Sequence, residues 1–166
     1  YIEMNSSVII AVISLVLSAI SVAFSLWSFF LERNRNKCEA TIHAFDDLQE
    51  KAFGCDKTSI NNLSSNHAVQ IVHDYISCPD DESCKEKWQN LTKSLALLEH
   101  FAVGINLNTY DLKTLNAGNM MIGMWAAVTP IIDYKRKGPD QKDNYIEFQT
   151  MVNTLIEYRK KQDKRH

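Results

Sequence analysis

The chain has 166 residues, 45% of them hydrophobic, and a formal net charge of −2. That length suits one domain with an appendage, and the composition excludes both a disordered tail and a strongly basic nucleic-acid binder. The apolar residues are concentrated at the N-terminus, where no charged side chain occurs between Glu3 and Glu32.

This run predicts the first element, a transmembrane helix over residues 6–31, preceded by a short extracytoplasmic segment, 1–5. As a helix it would span about 40 Å against a hydrocarbon core of about 30 Å, and tilt takes up the difference. A secretory signal peptide starts basic, has a shorter apolar core and ends on a small-x-small site. Here Tyr-Ile-Glu-Met-Asn precedes the run without Lys or Arg, and the small-x-small match at Ser21-Val22-Ala23 lies in its middle. The helix is therefore read as a retained anchor. Its small residues Ser7, Ala11, Ser14, Ser18, Ser21, Ser25 and Ser28 recur at spacings of 4, 3, 4, 3, 4 and 3. That is a heptad seam of small side chains, the pattern that lets membrane helices approach closely. Each hydroxyl can bond across the seam or back to its own helix, so helix association competes with a plain lipid-facing anchor and with a ring whose serines line a wet lumen.

Glu3 lies before the helix, and Arg33, Arg35 and Lys37 follow it, where they would meet the membrane surface. The positive-inside rule puts the C-terminal side in the cytoplasm of a cell inner membrane, with Trp27, Phe29 and Phe30 at the cytoplasmic interface. Cys38, Cys55, Cys78 and Cys84 are then reduced thiols. With the opposite orientation, disulfides and the sequons at Asn62 and Asn90 would come into question.

A juxtamembrane helix, 32–53, is expected to continue the anchor as one rod up to Gly54, with Ala40, Ala44 and Leu48 as an inner stripe. The helical domain, 54–158, begins with a polar loop ending in an N-cap at Ser65 or Asn66. A short helix from Ala68 to Ile76 follows, with Val69, Val72 and Ile76 on one face. Pro79 stops it, and Asp80 or Asp81 caps the next. Trp88, Leu91, Leu95, Leu98, Ala102 and Ile105 then mark a buried helical face. "GINLNTYD" makes a turn, and Asp111 is expected to cap a helix through Leu112, Leu115, Ile122, Trp125 and Val128, kinked or interrupted at Pro130. After the linker "KRKGPDQKDN" a last helix carries Tyr145, Phe148, Val152 and Leu155 and frays into a basic tail, 159–166. No segment alternates with period two. The fold class is all-α: one N-terminal transmembrane helix followed by a small cytoplasmic bundle of four to five helices.

Motifs that carry chemistry are sparse. There is no C-x-x-C, H-E-x-x-H, acidic calcium loop, G-x-S-x-G, Walker loop or G-x-G-x-x-G, so neither a metal, a cofactor nor a catalytic residue is assigned. His43 shares a helix face with Asp46 and Asp47, which reads as a solvated pair rather than a general base. Glu99 sits beside the apolar stripe, and a structural ion pair with Arg136 is the expectation. The basic clusters "RNRNK", "YKRKG" and "RKKQDKR" suit anionic head groups or solvated helix ends. A nucleic-acid partner is disfavoured, because no aromatic platform accompanies the charge.

The segments "LLEHFAVGI", "YDL", "PIIDYKR" and "YIEF", between Leu91 and Leu155, resemble an uncharacterised bacterial family of short proteins. Its members have an N-terminal membrane helix and a cytoplasmic helical domain. The resemblance implies that Glu99, Asp111, Pro130 and Arg136 are marked positions; "SCPDDESC" and the cysteines lie outside it, and no activity comes with it. The sequence as a whole predicts a non-enzymatic, single-pass membrane protein. Its expected partners are the lipid bilayer, a second copy or another membrane helix, and a cytoplasmic protein. The alternative is a membrane-active effector or channel lined by the serine face.

Overall fold

The computed structural model describes residues 6–52, 63–115 and 118–164, with the backbone alone at 6, 7, 118 and 119. Among these residues it has five α-helices and no strand: α1 (Ser6–Ala52), α2 (Ser65–Ser77), α3 (Glu82–Asn106), α4 (Gly118–Lys135) and α5 (Ile146–Asp163). The all-α class and the single long apolar N-terminal helix are both as expected. Residues 1–5, Gly54, Cys55 and the sequon at Asn62 lie outside the described residues. The chain divides into two units, Tyr1–Glu39 and Ala40–His166, with the boundary inside α1.

Among the described residues the first unit is α1 up to Glu39, an apolar run followed by a charged stretch from Glu32. Its helix satisfies its own backbone hydrogen bonds, the condition for an uncharged segment to enter lipid. Its mean hydropathy reaches 2.6, long and apolar enough to cross a membrane, and none of that window is buried.

In the second unit α1 turns an inner edge of Thr41, Leu48 and Ala52, with Phe45 against the Phe101 ring of α3 at 6.1 Å. Of the expected stripe Leu48 is buried and Ala44 packs against the core, but Ala40 is exposed and Thr41 takes the first inner position. A threonine holds the inner position, because its hydroxyl oxygen accepts the Asp111 N–H at 2.7 Å and so remains hydrogen-bonded while 1% exposed.

The remaining helices pack as α2 on α3 and α4, and α5 on α3 and α4. Ser64 caps α2, its hydroxyl accepting the His67 N–H at 3.2 Å, one residue before the expected cap. It has the extended backbone a cap requires, whereas Ser65 is already helical. The buried side of α2 carries Ala68 and Ile71, with Val72 and Tyr75 half-buried. Val69 and Ile76, expected inside with Val72, are instead 53% and 54% exposed. Asp81 caps α3 as expected, accepting from Ser83 N–H and Cys84 N–H. All six residues of the expected α3 face are buried, together with Phe101. The Leu, Ile and Phe side chains among them each contribute about 1.5–3 kcal/mol by leaving water.

Two residues past the end of α3, Asn108 has a φ of 58° and supplies the left-handed residue that glycine usually provides. Its N–H bonds to Ile105 O, and the Thr109 N–H bonds to Gly104 O, both at 2.9 Å, which closes the last turn. Gly104 is also where Tyr110 folds back: a β-carbon there would clash with the edge of the Tyr110 ring, which stacks on Phe101 at 5.5 Å.

α4 runs through Pro130 without interruption and buries Met121, Met124, Val128, Ile131 and Ile132. Proline removes the N–H that would bond to Ala126 O. Ser65 of α2 replaces it, donating its hydroxyl to that carbonyl at 3.0 Å. α5 buries Phe148, Met151, Val152 and Leu155 and stays helical to Asp163, further than the expected fraying at residue 159.

Candidate functional site

Three sets of residues are candidates: the small-residue row on α1, the polar residues of the bundle, and a groove beside Trp88. The side chain of Ser7 lies outside the described residues, and Ala11, Ser14, Ser18, Ser21, Ser25 and Ser28 are all exposed. Ser21 donates its hydroxyl to Leu17 O and Ser25 donates to Ser21 O, each at 2.9 Å. These two hydroxyls are therefore satisfied within their own helix and do not need water. Large apolar side chains surround the row, among them Leu15, Phe24 and Trp27 at 71%, 71% and 65% exposure. Of the basic residues that follow, Arg35 pairs with Glu39 one turn on, at 2.9 Å, with both side chains largely in solvent.

The polar residues of the bundle are occupied in holding helix ends. α5 begins at Tyr145, whose φ of 61° is left-handed and whose side chain makes no capping bond. Glu99, reaching from α3, does that work: its two carboxylate oxygens accept the Glu147 N–H at 3.0 Å and the Phe148 N–H at 2.8 Å. A carboxylate at a helix N-terminus satisfies orphan donors and complements the helix dipole. Asn106, about two turns further along α3, donates to both the backbone and the carboxylate of Glu147. Burial and the Glu99 charge push the Tyr145 hydroxyl pKa upward.

The expected Glu99–Arg136 ion pair is replaced by separate roles at one place. Arg136 donates Nε to Asn144 O at 2.8 Å and Nη1 to Gln149 Oε1 at 3.0 Å, closing the loop from α4 to α5. Glu99 caps the helix that this loop leads into. Asp111 caps a turn and not α4: its carboxylate accepts the Thr114 N–H at 3.2 Å and the Thr114 hydroxyl at 2.7 Å, and α4 starts later, at Gly118. Asp47 pairs with Lys51 at 2.7 Å rather than with His43. Cys84 has its thiol pKa raised, first by desolvation and then by Asp81, which opposes formation of a reactive thiolate. Among the described residues no three His, Cys, Asp or Glu side chains gather as metal ligands.

The groove was not visible in the sequence, because three helices build it. Tyr75 of α2 stacks on Trp88 of α3, with ring centroids 4.5 Å apart and planes 12° apart. Tyr134 of α4 meets Trp88 edge-on at 5.5 Å, and Lys135 Nζ lies 5.8 Å from the Trp88 ring centre. Two cavities of about 390 and 440 Å³ share these three rings. One is completed by Ile76, Pro79, Lys85 and Gln89, the other by Lys135, Lys137, Gly138 and Gln141. "YKRKG" thus splits in space: Arg136 turns to the α5 loop while Lys135 and Lys137 line the groove. Its one sequence signal is aromatic residues next to lysine, with no regular spacing.

The fold and these surfaces define a class: a helical-bundle domain whose first helix carries a membrane-length apolar segment. The family model described as a domain of unknown function, DUF4760, matches residues 15–155, and the chain belongs to that family. No curated protein and no solved structure matches it.

Proposed function

We propose that the chain is a non-enzymatic single-pass protein of the cell inner membrane, with its N-terminus outside and its helical domain in the cytoplasm. In this reading α1 self-associates through the row from Ser7 to Ser28, and the helical domain is offered to a protein partner. One observation carries it: among the described residues, the apolar window of α1 has none of its side chains buried. An apolar surface of that extent calls for lipid or another helix. The family match includes the run from Leu15 onward, which supports its belonging to the working domain. The back-bonded Ser21 and Ser25 favour a packed seam over a wet lumen, since their donors are already used. On a straight helix a heptad row drifts about 20° per repeat, so a row kept in register suits a left-handed supercoil. The polar residues with the best claim to chemistry, Glu99, Asp111 and Arg136, are engaged in closing turns and helix ends.

Sedimentation in mild detergent tests the reading. The wild-type chain should sediment as an oligomer, and Ser18→Leu with Ser21→Leu should shift it to monomer. Ala19→Leu with Ala23→Leu, which adds the same bulk off the row, should leave the oligomer intact. Equal behaviour of the two double variants contradicts a seam. Depolarisation of cells on expression would favour the channel instead.

A further inference from the structure

We propose that the groove between α2, α3 and the end of α4 docks an acidic peptide segment of a partner protein, its apolar side chain entering beside Ile76 and Pro79 and its carboxylates meeting Lys135 and Lys137. This deepens the partner-binding reading of the helical domain and rests on it. Charge carries the argument first. The two cavities are lined by Lys85, Lys135 and Lys137 and by no Asp or Glu. None of the three ammonium groups has a carboxylate within ion-pair distance among the described residues. A cationic ligand finds no counter-charge in such a lining, while an anionic one finds three.

The floor argues for a peptide. Tyr75, Trp88 and Tyr134 are shared by both cavities, so a ligand filling them runs across an aromatic ridge, with Gln89 on one side and Gln141 on the other. Tyrosine hydroxyls and glutamine amides bond a peptide backbone without selecting its sequence. Rigid aromatic side chains are also the anchors that protein interfaces favour. The surroundings set the direction. Ile76 is 54% exposed and gives one end an apolar wall. Among the described residues Lys85 is the one lysine lining that end, whereas Lys135 and Lys137 both line the other, so the acids of the ligand belong with Lys135 and Lys137.

The full-length chain in mild detergent, panned against a displayed random peptide library, tests this. Enriched peptides should be acidic and carry an aliphatic or aromatic side chain. Binding of the enriched peptides should weaken about tenfold in a Lys85→Gln, Lys135→Gln, Lys137→Gln variant. It should also weaken in Ile76→Ser, and stay unchanged in Lys93→Gln with Lys142→Gln. Circular dichroism of each variant establishes that it is folded. Basic or uncharged enriched peptides, no enrichment, or binding that survives the triple variant would each overturn the proposal. So would absence of enrichment with the three lysines instead governing contact with anionic nanodiscs, which would assign them to head groups. Sedimentation of the α1 variants does not involve the groove, so the two ideas fail separately.

Discussion

Replacing Glu99 should weaken the bundle at one identifiable place, the first turn of α5. Its carboxylate accepts two backbone donors, at 3.0 and 2.8 Å, at a helix start where Tyr145 supplies no side-chain cap. Loss of a cap costs about 0.5–2 kcal/mol, and a hydrogen bond to a charged group is worth about 1.5–3 kcal/mol. Glu99→Gln keeps one acceptor oxygen but turns an amide N–H toward the second donor, for a cost of about 1–2 kcal/mol. Glu99→Ala leaves both donors unpaired, for about 2–4 kcal/mol. In a domain of this size these losses correspond to melting-point drops of about 3–6 °C and about 6–14 °C. Thermal denaturation of the full chain in mild detergent gives the order, and hydrogen exchange gives the place: the Glu147 and Phe148 amides should exchange faster in both variants. The capping role is refuted if Glu99→Gln is as stable as wild type with unchanged exchange at those amides. It is equally refuted if the variant abolishes a biochemical activity while leaving stability intact.

Gly104→Ala should destabilise by about 1–3 kcal/mol in urea titrations, because the new methyl displaces Tyr110 from Phe101. The penalty should shrink in a Tyr110→Ala background. Ser65→Ala should cost about 0.5–1 kcal/mol by leaving Ala126 O to solvent, and Pro130→Ala should cancel that cost by restoring a backbone donor; an additive double variant contradicts the substitution of one donor for the other. Tyr145 has a raised hydroxyl pKa in the fold, so the unfolded chain loses that proton first. Its contribution is intact below about pH 10 and should be lost as pH climbs from there toward the folded value. Tyr145→Phe should abolish that part of the alkaline loss, and identical pH–stability curves for the two proteins would count against it.

What the sequence disclosed depended on how local each cause was. The α3 face was legible residue by residue, because an apolar period of 3.6 has one packing solution there. The α2 face was misread in part: Val72 packs against the core, but Ala68 and Ile71 hold the inner positions while Val69 and Ile76 are exposed. The chemistry of Asp111 was right and its helix wrong, since the turn at residues 112–114 intervenes before Gly118. Glu99 and Arg136 were expected to pair, and each instead holds the α5 start or the loop before it. α5 begins on a tyrosine that cannot cap it, and the compensating carboxylate comes from another helix. Pro130 shows the same limit, since its missing donor is replaced by Ser65, 65 positions earlier in the chain. The groove is the extreme case, with Tyr75, Trp88 and Tyr134 brought together only by packing.

Self-association along one face of α1 is tested most directly by cysteine scanning in a background lacking Cys38, Cys55, Cys78 and Cys84. Single cysteines from position 7 to position 28 are oxidised in membranes, and the disulfide-linked dimer is measured at each. A packed seam predicts maxima at 7, 11, 14, 18, 21, 25 and 28 with minima between them. Crosslinking that is uniform along the helix, or absent throughout, would contradict it.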